Sequence, residues 1–232
     1  MKKGKRKFAV FDIDGTIFRS SLVIEFTETM IDEGILHESV REKYKKEKLR
    51  WADRKGSYEA YINAVVVVFA EAIKGIRYED FRRASKIVVG RHRDRVYRYT
   101  RDIIKDMKKK KYFILAISKS PKVILDEFCG TLGFDQVHGT VYEVNKSHRM
   151  TGKCPVEVKQ NGYKANLLKK VIKNENLTMR GSIGVGDTEG DISFLELVEN
   201  PICFNPNLKL YTHAQKKKWK IVVERKDVIF EI

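Results

Sequence analysis

Asp12 and Asp14 stand two residues apart at the end of an apolar run, in the string Phe11-Asp12-Ile13-Asp14-Gly15-Thr16. In an extended strand, side chains two apart point the same way, so both carboxylates can face one site. Carboxylates gathered at a buried strand end repel each other and lose hydration. A divalent cation or split protonation relieves that cost. Gly15 lets the chain turn sharply just beyond them. The bland alternative is a strand ending in a turn, with one Asp capping a helix. The aromatic-apolar run before the acids favours chemistry instead.

A second acidic string, Gly184-Val185-Gly186-Asp187-Thr188-Glu189-Gly190-Asp191, repeats the arrangement of an apolar run ending in an acid. Asp191 follows at a helix start, where it can also serve as a cap. Ser118 ends another apolar run in Ile117-Ser118-Lys119-Ser120-Pro121. A hydroxyl there, with the amides of a following helix, can hold a phosphate. Lys164 begins a further helix. In a chain with 47 lysines and arginines a single lysine carries little information, and its value comes from order and spacing.

These residues need elements to hold them. Residues 8–13 read as a buried strand, 112–117 as a second and 181–186 as a third, with shorter strands at 202–204 and 221–223. Pro121 is expected to open a helix through residue 128, and residues 192–198 to form another. Residues 137–151, with Gly139 and Gly152 close by, read as an irregular hairpin or loop. Between the first two strands, residues 20–101 have helical character. Their apolar positions recur at three and four, as in Leu22, Phe26, Met30 and Ile31, and Gly34, Gly56, Gly75 and Gly90 are plausible breaks. Strands alternating with helices predict an α/β fold with a doubly wound parallel sheet, the helical block being inserted after the first strand. In such sheets ligands bind outside the carboxyl ends of strands, where both acidic strings fall.

The order DxDGT, strand serine, helix-start lysine and GDxxxD resembles the haloacid dehalogenase superfamily of phosphohydrolases over nearly the whole chain. Gly133-Phe134, His138-Gly139-Thr140, Thr151-Gly152 and Asn205-Pro206-Asn207 resemble the phosphoserine-phosphatase-like branch, subfamily IB. The resemblance implies a Rossmann-like core over 1–18 and 103–232, with a helical cap over 19–102. It implies Asp12 as nucleophile and Asp14 as general acid and then base. Magnesium would be held by Asp12, the Asp14 carbonyl and Asp187. Ser118 and Lys164 would bind the phosphoryl oxygens, with Asp191 in support. The acid at position 14 points to a phosphatase, because dehalogenases of this superfamily lack it. Where the branch places an amino-group-binding acid, nine residues past the nucleophile, this chain has Ser21, and the nearest acid is Glu25.

Composition sets the outer limits. The 232 residues are 42% hydrophobic, an ordinary globular value, with a formal net charge of +16. Such an excess attracts anions: a small phosphorylated metabolite is the expected partner, and a phosphorylated nucleic-acid end the alternative. A basic nucleic-acid-binding protein with a vestigial site is the contrasting class. Every expected catalytic position is filled, and no basic stripe is interleaved with aromatics in a known binding pattern. The basic run Arg41 to Lys55 reads as a solvated helix face, and His92 has no evident catalytic partner. Cys129, Cys154 and Cys203 are scattered, with no zinc spacing. The basic start Met1-Lys2-Lys3-Gly4 is followed by an apolar stretch that Asp12 interrupts, which does not suit a secretory signal. Residues 64–70 are too short to span a membrane, and a cytoplasmic protein is expected.

Overall fold

A computed structural model describes residues 5–155 and 162–232; the basic start at residues 1–4 lies outside them. Strand β1 (Arg6–Phe11) runs through the middle of the sheet. Phe8, Ala9, Val10 and Phe11 are fully buried, which explains an unbroken apolar run where a half-exposed strand would alternate. Phe8 and Val10 enter the core on one face, Ala9 and Phe11 the core on the other.

On one side β1 pairs in parallel with β2 (Phe113–Pro121), and on the other with β4 (Leu177–Gly186). With β3 (Gln136–Thr140), β5 (Asn200–Phe204), β6 (Lys220–Arg225) and β7 (Val228–Glu231), the order is β3-β2-β1-β4-β5-β6-β7. Only β7 is antiparallel. The connections leaving neighbouring β1 and β4 lead to strands on opposite sides, a switch point at whose carboxyl end open α/β sheets bind ligands. The α/β class expected from the alternation is the one observed.

Helices α1 (Leu22–Asp32), α2 (Ser39–Ala52), α3 (Tyr58–Ala72) and α4 (Tyr78–His92) follow β1, and α5 (Arg98–Lys109) returns the chain to β2. Entry and exit of this block are tied together. The Tyr97 amide donates to the Ile17 carbonyl at 2.9 Å, and the Thr100 hydroxyl to the Thr16 carbonyl at 2.9 Å. The basic run lies along α2, which buries only Val40 and Tyr44. Its solvated character is as read from sequence.

Three local expectations are corrected. Gly90 breaks nothing and sits within α4, where burial of Phe81, Ala84 and Val88 outweighs the roughly 1 kcal/mol helix cost of a glycine. The 137–151 stretch begins with the last part of β3, in register with β2 through Val137 and Ala116. His138 and Gly139 had hidden this edge strand. Only the remainder is irregular, and it clasps the α3–α4 turn: the Gly75 amide donates to the Met150 carbonyl at 2.8 Å and the Met150 amide to the Ile76 carbonyl at 2.8 Å. Finally, β2 runs on to Pro121, so the next helix is α6 (Lys122–Leu132), and the helix expected over 192–198 shortens to α8 (Ile192–Leu195). The two remaining helices are α7 (Tyr163–Asn174) and α9 (Leu208–Lys217). Among the described residues, no helix is long and apolar enough to cross a membrane.

Candidate active site

The ladder between β1 and β4 extends one residue past β1, the Asp12 amide donating to the Val185 carbonyl at 2.9 Å. This fixes Asp12 at the carboxyl end of the sheet beside the end of β4, from which Asp187 projects. Ile13 is fully buried, and its carbonyl accepts from the amides of Ile17 and Phe18 at 2.8 and 2.9 Å, so the chain must turn tightly after the acids. Gly15 adopts φ +76° in that turn. A Cβ there would stand 2.1 Å from an Asp187 carboxyl oxygen.

Lys164 enters from the first turn of α7. Its ammonium donates to Asp12 Oδ1 at 2.5 Å and to Asp191 Oδ1 at 2.6 Å. Asp12, Lys164 and Asp191 are 5%, 6% and 0% exposed, so this triad is sealed from bulk water. The second oxygen of Asp191 accepts from the amides of Asp187 and Thr188 at 3.1 and 3.0 Å. Asp191 therefore closes a capping box with Thr188 at the start of the short turn over Glu189–Asp191, and anchors Lys164. Thr16 steadies Asp187, donating to its Oδ1 at 3.3 Å.

Carboxyl oxygens of Asp12, Asp187 and Asp191 lie within 4.8 Å of one another. Three carboxylates against one ammonium leave two negative charges uncompensated when all are ionised. Burial, partly opposed by Lys164 and reinforced by Asp191 and Asp14, pushes the Asp12 carboxyl up to about 7. Burial and the charges of Asp12 and Asp191 raise Asp187 well above the carboxylate range. Burial works against the charged form of Lys164, but Asp12 and Asp191 outweigh it and hold the ammonium more firmly than usual. All the donors are oxygens, the set a hard divalent cation takes, and such an ion cancels the charge that now disfavours ionisation. The residues present fit magnesium. Both Asp191 oxygens are already engaged, which leaves Asp12 and Asp187 as the better side-chain donors.

Asp14 faces elsewhere. Its Oδ1 accepts from the Leu22 amide at 2.6 Å, and its Oδ2 from the Ser118 and Ser120 hydroxyls at 2.8 and 2.7 Å. Ser118 is thus brought to the site, where it bonds to Asp14. Sequence reasoning passed over Ser120, although strand alternation puts it on the same side as Ser118. It also missed Tyr58, the first residue of α3. Burial, then the charges of Asp14 and Asp187, raise its phenol. No local pattern signals that approach. A cavity of about 300 Å3 touches Lys164, Tyr163 and Ser193. A hollow of about 810 Å3 near Ile183 and Trp219 involves none of the acids of the cluster.

The family described as haloacid dehalogenase-like hydrolase matches residues 9–196, a span holding every residue of this cluster. The chain belongs to that family. Within it the chain is of the phosphoserine-phosphatase-like, phosphatase type. It is 25% identical over 226 residues to the phosphoserine phosphatase of Methanocaldococcus jannaschii, covering 97% of this chain and 95% of that protein. In structure it is similar to a Bordetella pertussis Tohama I protein of unknown function, with TM-score 0.71 and 17% identity over 94% of this chain and 98% of the other. A substrate-bound phosphoserine phosphatase gives TM-score 0.65 and 22% identity, over 97% and 96%. At these identities the solved structures speak for the family's fold.

The turn at Gly15 gives a direct test within this family architecture. Gly15→Ala places a methyl group against Asp187 in a backbone conformation that disfavours it. If a divalent ion sits between Asp12 and Asp187, the expected result is loss of most of its binding, read as a missing thermal shift on adding magnesium, while the circular dichroism spectrum stays native.

Proposed function

We propose that this protein is a magnesium-dependent phosphomonoester hydrolase that works through an aspartyl-phosphate on Asp12. The observation that carries the reading is the single ammonium of Lys164 shared between Asp12 and Asp191 beside Asp187. A phosphate monoester is an anion, and an anionic nucleophile can approach it only where cations neutralise the site. Asp12, Asp187 and the Asp14 carbonyl would hold magnesium, which would supply positive charge to the phosphoryl oxygens. Lys164 adds the positive charge of its ammonium beside Asp12, and Asp191 holds that ammonium in place.

In this scheme an Asp12 oxygen attacks phosphorus and the ester oxygen leaves with a proton from Asp14. Asp14 then takes a proton from the water that cleaves the aspartyl-phosphate, so one hard step becomes two easier ones. Ser118 turns from Asp14 to a phosphoryl oxygen when substrate enters, freeing Asp14 to face the leaving group. Ser120 remains as its partner. The helices over 19–102 serve as a cap that excludes water during the first step. The substrate is a small phosphorylated metabolite, with the net charge of +16 favouring a nucleic-acid end as second reading. Steep loss of turnover between low and moderate salt would select that second reading, since contacts to several phosphates are salt-sensitive.

The test is phosphate release from O-phosphoserine, histidinol phosphate, phosphocholine and glycerol phosphate, with magnesium and with EDTA. Release that requires the ion is expected; silence from every ester sinks the proposal. Magnesium should also stabilise the fold. At about a hundredfold excess over Kd the gain is about 2.7 kcal/mol, raising Tm by roughly 5–10 °C in a chain of this size.

A further inference from the structure

Where α2 leads into α3, the helical block carries a cluster of aromatic rings that phosphoryl transfer does not use. Trp51, near the end of α2, and Tyr58, at the start of α3, are 38% and 36% exposed, their ring centroids 5.3 Å apart. Trp51 stacks on Tyr61 at 5.8 Å and 19° between planes. Tyr61 is buried and packs in turn on buried Tyr44 at 6.3 Å. The outer pair therefore rests on a fixed inner pair, and its open faces are held rigidly.

Ion pairs tie this corner to the loop that follows Asp187. Glu59, beside Tyr58, faces the Lys209 ammonium at 3.8 Å, and Lys209 lies 2.6 Å from Glu189, two residues past Asp187. The Tyr58 phenol lies within electrostatic reach of both Asp14 and Asp187. From the other side comes Tyr97, which packs edge-on against Phe204 at 4.9 Å and also feels Asp187. The Arg19 guanidinium lies 5.6 Å from the Tyr97 ring. The cap acids Glu25 and Glu28 are already paired. Glu25 is 2.8 Å from Arg95 and 3.5 Å from His92, and Glu28 is 2.7 Å from Arg41.

An exposed indole beside a half-exposed tyrosine ring, close to a phosphate site and with the cap acids Glu25 and Glu28 paired, suits a flat and weakly charged group. We infer that the ester's leaving group carries a planar aromatic or heteroaromatic ring that stacks on Trp51 and Tyr58. The inference rests on the phosphatase reading and adds its substrate class. Arg19 over Tyr97 supplies a second flat face with positive charge, against which an electron-rich ring or a further anionic group can rest.

The experiment compares benzyl phosphate and a nucleoside 5′-monophosphate with glycerol 3-phosphate and O-phosphoserine. All four are esters of primary alcohols, so differences in rate report recognition more than leaving ability. The expected kcat/KM is about tenfold or more higher for the ring esters, carried mainly by KM, a size in keeping with one stacked ring. Trp51→Ala and Tyr58→Leu should each collapse that ratio toward one, whereas Trp51→Phe keeps most of it. Gain for both ring esters assigns the ring alone, and gain for the nucleotide only assigns a nucleoside; either supports the inference. Asp12-dependent hydrolysis with a ratio at or below one, or a ratio unmoved in both variants, overturns the substrate class and leaves the phosphatase reading standing. No magnesium-dependent hydrolysis of any ester overturns both.

Discussion

Asp12→Asn is expected to lower phosphate release by on the order of 10^4-fold or more, the scale on which loss of a nucleophile is felt. The fold should survive, because the amide oxygen can still accept from Lys164 and Lys164 keeps Asp191. Stability gives an independent readout with a definite sign. In the unfolded chain Asp12 ionises near its ordinary 3.8, whereas in the folded metal-free protein burial holds it protonated up to about 7. The folded state therefore binds the extra proton between those values, and wild-type stability falls as pH rises through about 7. Asparagine cannot ionise, so the metal-free variant should be the more stable protein at pH 8 and indistinguishable near pH 4. Magnesium should reverse the ranking at pH 8 by favouring the wild type. Urea melts at the two pH values, with and without the ion, check this. Near-normal turnover in the variant would remove Asp12 from the chemistry.

Lys164→Met should be nearly as damaging, and for a different reason. It leaves Asp12 and Asp191 buried with no cation between them. Breaking a buried pair from one side typically costs about 3–5 kcal/mol, so the metal-free variant should lose stability on that scale at pH 8. The loss should shrink toward pH 5, where Asp12 takes up its proton. Turnover should fall by roughly 10^2–10^3-fold even with magnesium, the usual cost of one preorganised donor to a developing anion. Lys164→Arg should not rescue either property. The ammonium sits 2.5 and 2.6 Å from two oxygens in a closed space, and a planar guanidinium needs a wider fork. A Met variant as stable as wild type at pH 8 would show that the acids do not depend on this ammonium.

Much of the site could be read before any coordinates. The strands that carry Asp12, Ser118 and Asp187 announce themselves as apolar runs because both faces of a central parallel strand are buried, and each run gives way to a polar residue, just past the strand for Asp12 and Asp187 and within β2 for Ser118. The helical block was legible from its three-and-four spacing, and the polar face of α2 from its charges. All of these are local signals, set by burial periodicity over a few residues. The edge strand β3 escaped because an edge needs less apolar content and a glycine concealed it.

Tertiary structure alone decided which groups meet. Lys164 reaches Asp12 across 152 positions of sequence because β1 and β4 are neighbours in the sheet, and no spacing along the chain encodes that adjacency. The same packing set Asp14 against Ser118 and Ser120, and brought Tyr58 within electrostatic reach of Asp14 and Asp187 from a helical corner remote in sequence. Residue types and their order determined what chemistry the chain can hold. The sheet order and the seating of the helices determined the charge balance around Asp12, since electrostatic coupling depends on distance through the fold and on water excluded from it.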